Sequence, residues 1–192
     1  MGIPSAQLHH LRMDMGDLES VRAGVETLLG SLAGPLDALV CNAAVYKPRL
    51  KQPEWSPQGY EISMATNHLG HFALTGLLRE KVSERIVAVS SQMHRAARIS
   101  GITSDELRNR ARGIGAYNPW SAYALSKLAN LLFIHEFERR SNRNNWNIEA
   151  VAAHPGYAAT NLITGASVQD RAGALANALF AQSAGRGALP TL

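Results

Sequence analysis

The sequence predicts an α/β fold, a parallel sheet covered by helices in three layers, and three observations carry that expectation. Near-continuous apolar runs such as L36-D-A-L-V-C41 and R85-I-V-A-V89 lack strict polar alternation, as strands buried on both faces do. Longer segments with apolar residues three and four apart separate these runs, which is the alternation that parallel strands require. Residues able to do chemistry gather just past the strand ends, where parallel sheets place their ligands.

The 192 residues, 46% hydrophobic and 18% charged, suit one folded domain, taken here as residues 1–192, and exclude a disordered chain. No apolar run approaches the roughly 18 residues that span a bilayer. The start, MGIPSAQLHH (Met1 to His10), has no basic region followed by an apolar one, and Ala6 stands where a myristoylation motif has Ser or Thr. One cysteine, Cys41, excludes an intrachain disulfide and fits a reducing compartment, so a cytoplasmic location is expected. The net charge of +4 is concentrated in H94-R-A-A-R98 and R108-N-R-A-R112, which hold five arginines. No aromatic interleaves with them to stack on bases, so they read as a solvated surface insertion and no nucleic-acid partner is expected.

The elements follow in order. Gln7 to Met13 reads as a strand, after which Asp17 stands at an N-cap before the stripe Leu18, Val21, Val25, Leu28, Leu29 and Leu32. Gly34 and Pro35 end that helix ahead of the strand Leu36–Cys41. A long helix is expected from Pro57 to Leu78, then the strand Arg85–Val89. The segment from Gln92 to Asn118 contains T103-S-D-E106, a capping-box pattern for one short helix. A second long helix is expected from Ser121 to Arg140, with Leu125, Leu128, Ala129, Leu132 and Phe133 as its apolar stripe. Ile148 to Ala153 is the next strand, and a last helix is expected from Ser167 to Gln182. By this reading C41-N-A-A44, Ser90 with Ser91, and His154-Pro155-Gly156 line one crevice.

Tyr123 and Lys127 stand four apart in a helical segment, so both leave the same face. A phenol beside an ammonium is a proton donor whose pKa the neighbouring charge pulls down. The competing reading is an ordinary helical pair. His68 and His71 have a metal-like spacing without an evident third ligand, so no metal site is expected. Cys41 has no activating base nearby and reads as a small buried residue. Trp55, Trp120 and Trp146 read as packing residues, with Trp120 placed to border a pocket.

Five features occur in one order: C41-N-A-A44, Asn67 in T66-N-H-L-G-H-F72, Ser91 after a buried strand, Tyr123 with Lys127, and the segment PGYAAT (Pro155 to Thr160). Together they resemble the short-chain dehydrogenase/reductase family. The insertion before Tyr123, the run PWSAY (Pro119 to Tyr123) and the stretch AHPGYAATN (Ala153 to Asn161) are most similar to its branch around retinol dehydrogenases and protochlorophyllide reductase. The resemblance implies a partial Rossmann-type doubly wound sheet and hydride transfer between NAD(P)(H) and a small carbonyl or alcohol substrate. Tyr123 is then the general acid/base, Lys127 lowers its pKa and binds the nicotinamide ribose, and Ser91 donates to the substrate oxygen. Asn67 holds a water that links Lys127 to solvent. Asp14 corresponds to the adenine-contacting aspartate, with strand end or helix cap as its other reading. Asn42, Ala43 and Ala44 lie beside the adenine ribose, Ala44 replacing the usual glycine. Pro155, Gly156 and Thr160 fix the carboxamide. NADP is favoured by the branch, and NAD stays open.

The family's first two strands, the glycine-rich turn between strand and helix, and the last strand have no counterpart here. G113-I-G115 follows no strand, and G185-R-G187 has Pro190 where a third glycine is needed. Leu36–Cys41 is therefore expected to form an open apolar edge that invites pairing with another chain, a homo-oligomer included. The alternatives to an active reductase are a non-catalytic fragment unable to bind cofactor tightly and, less favoured by the PGYAAT segment, a nucleotide-sugar epimerase sharing the Tyr-Lys spacing.

Overall fold

Helix α1 (Leu18–Ser31) begins where the sequence places its cap: the Asp17 carboxylate accepts from the Glu19 N–H at 3.1 Å in the computed structural model, which describes residues 8–156 and Ala188. Val21 and Val25 form its buried face, and the helix packs against α3 (Gly70–Leu78). Between them come β1 (Leu36–Cys41), a long loop and α2 (Ile62–Met64), which joins α3 through a π-helical turn, Ala65–Leu69. A Cβ at Gly70 would collide with the Met15 carbonyl oxygen, so the segment entering α1 lies backbone to backbone on α3.

The long helix thus starts at Ile62, five residues later than the sequence suggests from Pro57. Gly59 takes a left-handed φ of 75°, and the Glu61 carboxylate, buried, accepts from the N–H groups of Ser63 and Met64. Glutamate is an uncommon N-cap, so the sequence carries no visible start signal there.

A 3₁₀ turn (Arg79–Lys81) leads into β2 (Val82–Val89), and a second (Gln92–Ala96) opens the insertion. Thr103 caps α4 (Ser104–Ala111) by accepting from the Glu106 N–H, and none of this helix is buried. Asn118 caps α5 (Pro119–Asn144), whose first residue is the proline that suits that position. The helix ends at left-handed Asn145, and β3 (Glu149–Ala153) follows.

The three strands are parallel in the order β1-β2-β3, with Cys41 opposite Ala88 and Ala88 opposite Ala152. The order matches the last three places of the Rossmann sequence of strands. One face carries the core: Cys41, Ile86, Ala88 and Ala150 meet Ile134 and Phe137 of α5. Thr75 of α3 reaches the same face, 3.7 Å from the Cys41 sulfur. On the other face Val40, Val87 and Val151 stand side by side, and Val40, at the β1 edge, is 45% exposed. The open apolar edge predicted for β1 is present among the described residues.

Two further expectations change. Leu8–Met13 form no strand, because no strand among the described residues lies beside them and a strand exists only through its ladder. Leu132, placed in the α5 core stripe, is 52% exposed, since the buried face runs through Tyr123, Lys127, Asn130, Ile134 and Phe137 instead. Gln7 and the last helix, Ser167–Gln182, lie outside the described residues.

Candidate active site

Parallel strands in register end at one edge, so Asn42, Ser90 and His154 emerge together there. The Ser90 N–H continues the ladder by donating to the Ala153 carbonyl at 2.8 Å. Helix α5 lies against this edge and brings Tyr123 and Lys127 to it. Both are buried, Lys127 to 2% exposure.

Lys127 Nζ donates to the Val89 carbonyl, the last of β2, at 2.9 Å and lies 5.7 Å from the centre of the Tyr123 ring. Burial pulls its pKa down from 10.5 to about 8. Burial also pushes the Tyr123 phenol up, and a hydrogen bond with Ser91 works in the opposite direction. The lowering of Tyr123 by Lys127 that the spacing suggested does not arise in this geometry. The ammonium is held on a carbonyl, and desolvation of the phenol is the larger effect.

The two serines after β2 divide. The Ser90 hydroxyl donates to the Lys127 carbonyl at 2.9 Å, clipping strand to helix. The Ser91 hydroxyl accepts from the Met93 N–H at 3.3 Å and meets Tyr123. Asn67, on the π turn, is wholly buried. Its Oδ1 accepts from the Val45 N–H at 2.7 Å, and its Nδ2 donates to the Val45 carbonyl and to Ser126 Oγ, each at 3.0 Å. Ser126 Oγ donates in turn to the Tyr123 carbonyl at 2.8 Å. Both amide hydrogens of Asn67 are thereby used, and a water would find only the second lone pair of Oδ1 or the backbone oxygen.

Asn67, Ser91, Tyr123 and Lys127 therefore come together. Asn42 and Ala43 are exposed and Ala44 half-buried in the loop that Asn67 pins through Val45. Pro155 and Gly156 follow β3; Gly156, at a left-handed φ of 68°, donates its N–H to His154 Nδ1. Thr160 lies outside the described residues. Asp14 stands apart: its carboxylate accepts from the Gly16 N–H at 2.8 Å in the turn before α1.

Ser90 was placed at this crevice by the end of its strand; three further residues of the site, Ser126, Asn130 and Tyr46, carried no signal alone. Ser90, Ser126 and Asn130 are polar residues whose burial only the packing reveals; Asn130 Nδ2 shares the Val89 carbonyl with Lys127, at 3.2 Å. Tyr46 follows the C41-N-A-A44 segment, and its ring touches that of Tyr123, 4.8 Å between centres. The histidines expected to be free of metal have other partners: His68 Nδ1 donates to Asn130 Oδ1, and His71 Nδ1 to the Asn67 carbonyl. Burial lowers the pKa of both, His71 to about 4. Of the tryptophans, Trp146 packs against Phe137, whereas Trp55 and Trp120 are more than half exposed. A cavity of about 760 Å³ lies under the insertion, lined by Arg98, Asn109, Arg110, Ile114 and Leu125, but Tyr123 and Lys127 do not line it.

A model of the short chain dehydrogenase family matches residues 2–103, more than half of the sequence. The chain belongs to the short-chain dehydrogenase family. It is 35% identical over 181 residues to the chloroplastic protochlorophyllide reductase of Daucus carota, covering 83% of this chain and 45% of that protein. An uncharacterised protein from Mycobacterium paratuberculosis superposes with a TM-score of 0.64 at 40% identity, over 79% of this chain and 52% of that one. A blue fluorescent protein from a metagenomic library, solved in complex with NADPH, superposes with a TM-score of 0.56 at 26% identity, over 85% of this chain and 57% of that one. The chain thus spans about half the length of the dehydrogenase-family proteins it matches. No helix among the described residues is long and apolar enough to cross a membrane.

Proposed function

We propose that the chain carries the catalytic part of a carbonyl reductase of the branch that includes retinol dehydrogenases and protochlorophyllide reductases, working with NADP(H) and less readily with NAD(H). The observation that carries this reading is the placing of Tyr123 and the buried Lys127, whose Nζ lies 5.7 Å from the Tyr123 ring centre, at the carboxyl edge of the sheet where β2 ends and Ser91 follows.

The residues present fit a nicotinamide nucleotide. An ammonium has three N–H groups and Lys127 spends one on Val89, leaving two for the ribose hydroxyls. Asn42, Ala43 and Ala44 offer a loop to the adenine ribose, with Pro155, Gly156 and Thr160 at the carboxamide and Asp14 at the adenine. When bound, the cofactor supplies or accepts the hydride. Burial holds Tyr123 protonated, which makes it a general acid for the oxygen of a carbonyl under reduction. The reverse reaction needs the phenolate and is favoured by alkaline pH. Ser91 donates to the same oxygen as negative charge develops on it. Asn67 keeps the loop after β1 and the start of α5 in one position. Burial pushes the Cys41 thiol up to about 11 and keeps it inert. With Cys41 the one cysteine of the sequence, we propose a reducing, cytoplasmic location.

The test is a titration of the purified chain with NADPH and with NADH, read by tryptophan quenching and energy transfer, followed by a screen of carbonyl substrates. Micromolar binding and turnover that Tyr123→Phe reduces by about 10²–10⁴-fold is the expected result. No binding up to millimolar nucleotide would show that this chain is a non-catalytic piece of its family.

A further inference from the structure

The cavity of about 760 Å³ under the insertion has the size of a small-molecule site, and neither Tyr123 nor Lys127 lines it. Leu125 does line it. That residue stands two positions beyond Tyr123, about 200° around α5, so the cavity lies behind the helix from the crevice. Its other walls are the turn at Ala97 and Arg98, helix α4 and the loop 113–118.

These walls are held in place without an occupant, so little ordering is left for a ligand to impose. Tyr117 Oη donates to the buried Glu61 carboxylate at 3.1 Å, Trp55 Nε1 to the Arg112 carbonyl at 2.9 Å, and Arg110 Nη1 to the Arg98 carbonyl at 2.9 Å. Helix α4 buries none of its residues, so it adds a wall and no core. The Ile114 N–H donates to the Asn109 carbonyl at 2.8 Å, and Gly113 and Gly115 flank it with left-handed φ. Ile114 is thereby fixed on the cavity wall while 57% exposed. With Ala97, Ala122 and Leu125 it forms an apolar surface that an occupant would take out of water.

The charge on the walls selects that occupant. The charged residues of the lining are Arg98, Glu106 and Arg110; Glu106 pairs with Arg110 at 2.9 Å, and the Arg98 guanidinium has no partner among the described residues. The Ser121 hydroxyl on the same wall also bonds nothing there. One uncompensated positive charge, carried on a planar fork of N–H donors, matches one carboxylate. We propose that the cavity is a second ligand site for a small monocarboxylate with an apolar body, its carboxylate on Arg98 and its body against Ile114 and Leu125. Nothing in this site depends on hydride transfer.

A matched pair of probes isolates the charge: 4-phenylbutyrate and 4-phenylbutanamide share one skeleton. Calorimetric titration of the full chain is expected to show saturable binding of the acid, about tenfold or more tighter than that of the amide. Arg98→Gln should bring the two probes to equality. Ile114→Glu, which sets a second acid in the wall, should weaken the acid by about tenfold. Both side chains are exposed, so both variants are expected to keep the melting temperature of the unaltered chain. Tyr123→Phe should leave the acid's affinity as it is; a loss there places the probe in the crevice and overturns the second site. Equal binding of acid and amide, no saturable binding of the acid up to about 10 mM, or a preference that survives Arg98→Gln also overturns the proposal. So does tighter binding of phenyl phosphate, a dianion, than of the monocarboxylate.

Discussion

The second half of α5 buries Ile134 and Phe137, at 5% and 7% exposure, against the sheet, whereas the first half buries Ser126, Lys127 and Asn130 at 2% or less. The more deeply buried half is the polar one. Ile134 and Phe137 remove apolar surface from water and stabilise the fold directly. Lys127 does the reverse: its charge is desolvated, with one carbonyl as its acceptor, and its pKa falls because the fold resists the ammonium. The difference teaches that one helix serves as keel at one end and as a stressed chemical site at the other, and burial alone does not tell the two apart.

The comparison breaks most clearly at Phe137. Phe137→Ala is expected to lower stability by about 3–5 kcal/mol, measured by urea unfolding, because the cavity opens between α5 and the sheet. A loss below about 1 kcal/mol would mean that this end is no keel.

At the other end the sign reverses. The amine of Lys127 has its ordinary pKa of 10.5 in the unfolded chain and about 8 in the fold, so between these values the unfolded state holds the extra proton. Stability is therefore expected to rise with pH from about 8 toward 10.5, until Tyr123, whose pKa burial raises, begins to oppose it. Lys127→Met should flatten that rise between pH 7 and 9.5. At pH 7 it should add about 2 kcal/mol of stability, part of the gain being offset by the lost bond to Val89, while abolishing activity. A destabilised Lys127→Met protein would place the lysine with the keel.

The smallest effect sharpens the boundary between the halves. Leu132→Ser, on the outer side of the same helix, is expected to change stability by no more than about 0.5 kcal/mol in the same unfolding assay.

Much of this was legible in the sequence. The strand Leu36–Cys41 is found where its apolar run lies, and Asp17 and Thr103 cap the helices they were expected to cap, because local patterns carry that information. Tyr123, Lys127, Ser91 and Asn67, singled out through the family resemblance that their order carries, lie in one region of the structure. What was not legible depends on partners distant in sequence. Leu8–Met13 has a strand's composition and no neighbour to pair with. Glu61 caps a helix with a residue type that rarely does so, and Leu132 satisfies a helical spacing on the wrong face. Tyr46 reads as an ordinary loop residue until Asn67, 21 positions on, fixes the loop and Tyr123 meets its ring.

The end of β2 has a consequence for amide hydrogen exchange. Val89 accepts from Lys127 and Asn130, Ser90 returns a bond to the Lys127 carbonyl, and the Ser90 N–H is held by Ala153. The N–H itself leaves only with the end of β3, but the Ser90 hydroxyl and the Val89 carbonyl tie the same strand end to α5 and oppose its fraying. Protection factors at Ser90 should then follow global unfolding, in contrast to the low-stability openings usual around ligand sites. The carboxyl edge of the sheet would be among the last parts of the protein to take up deuterium, ahead only of the strand centres.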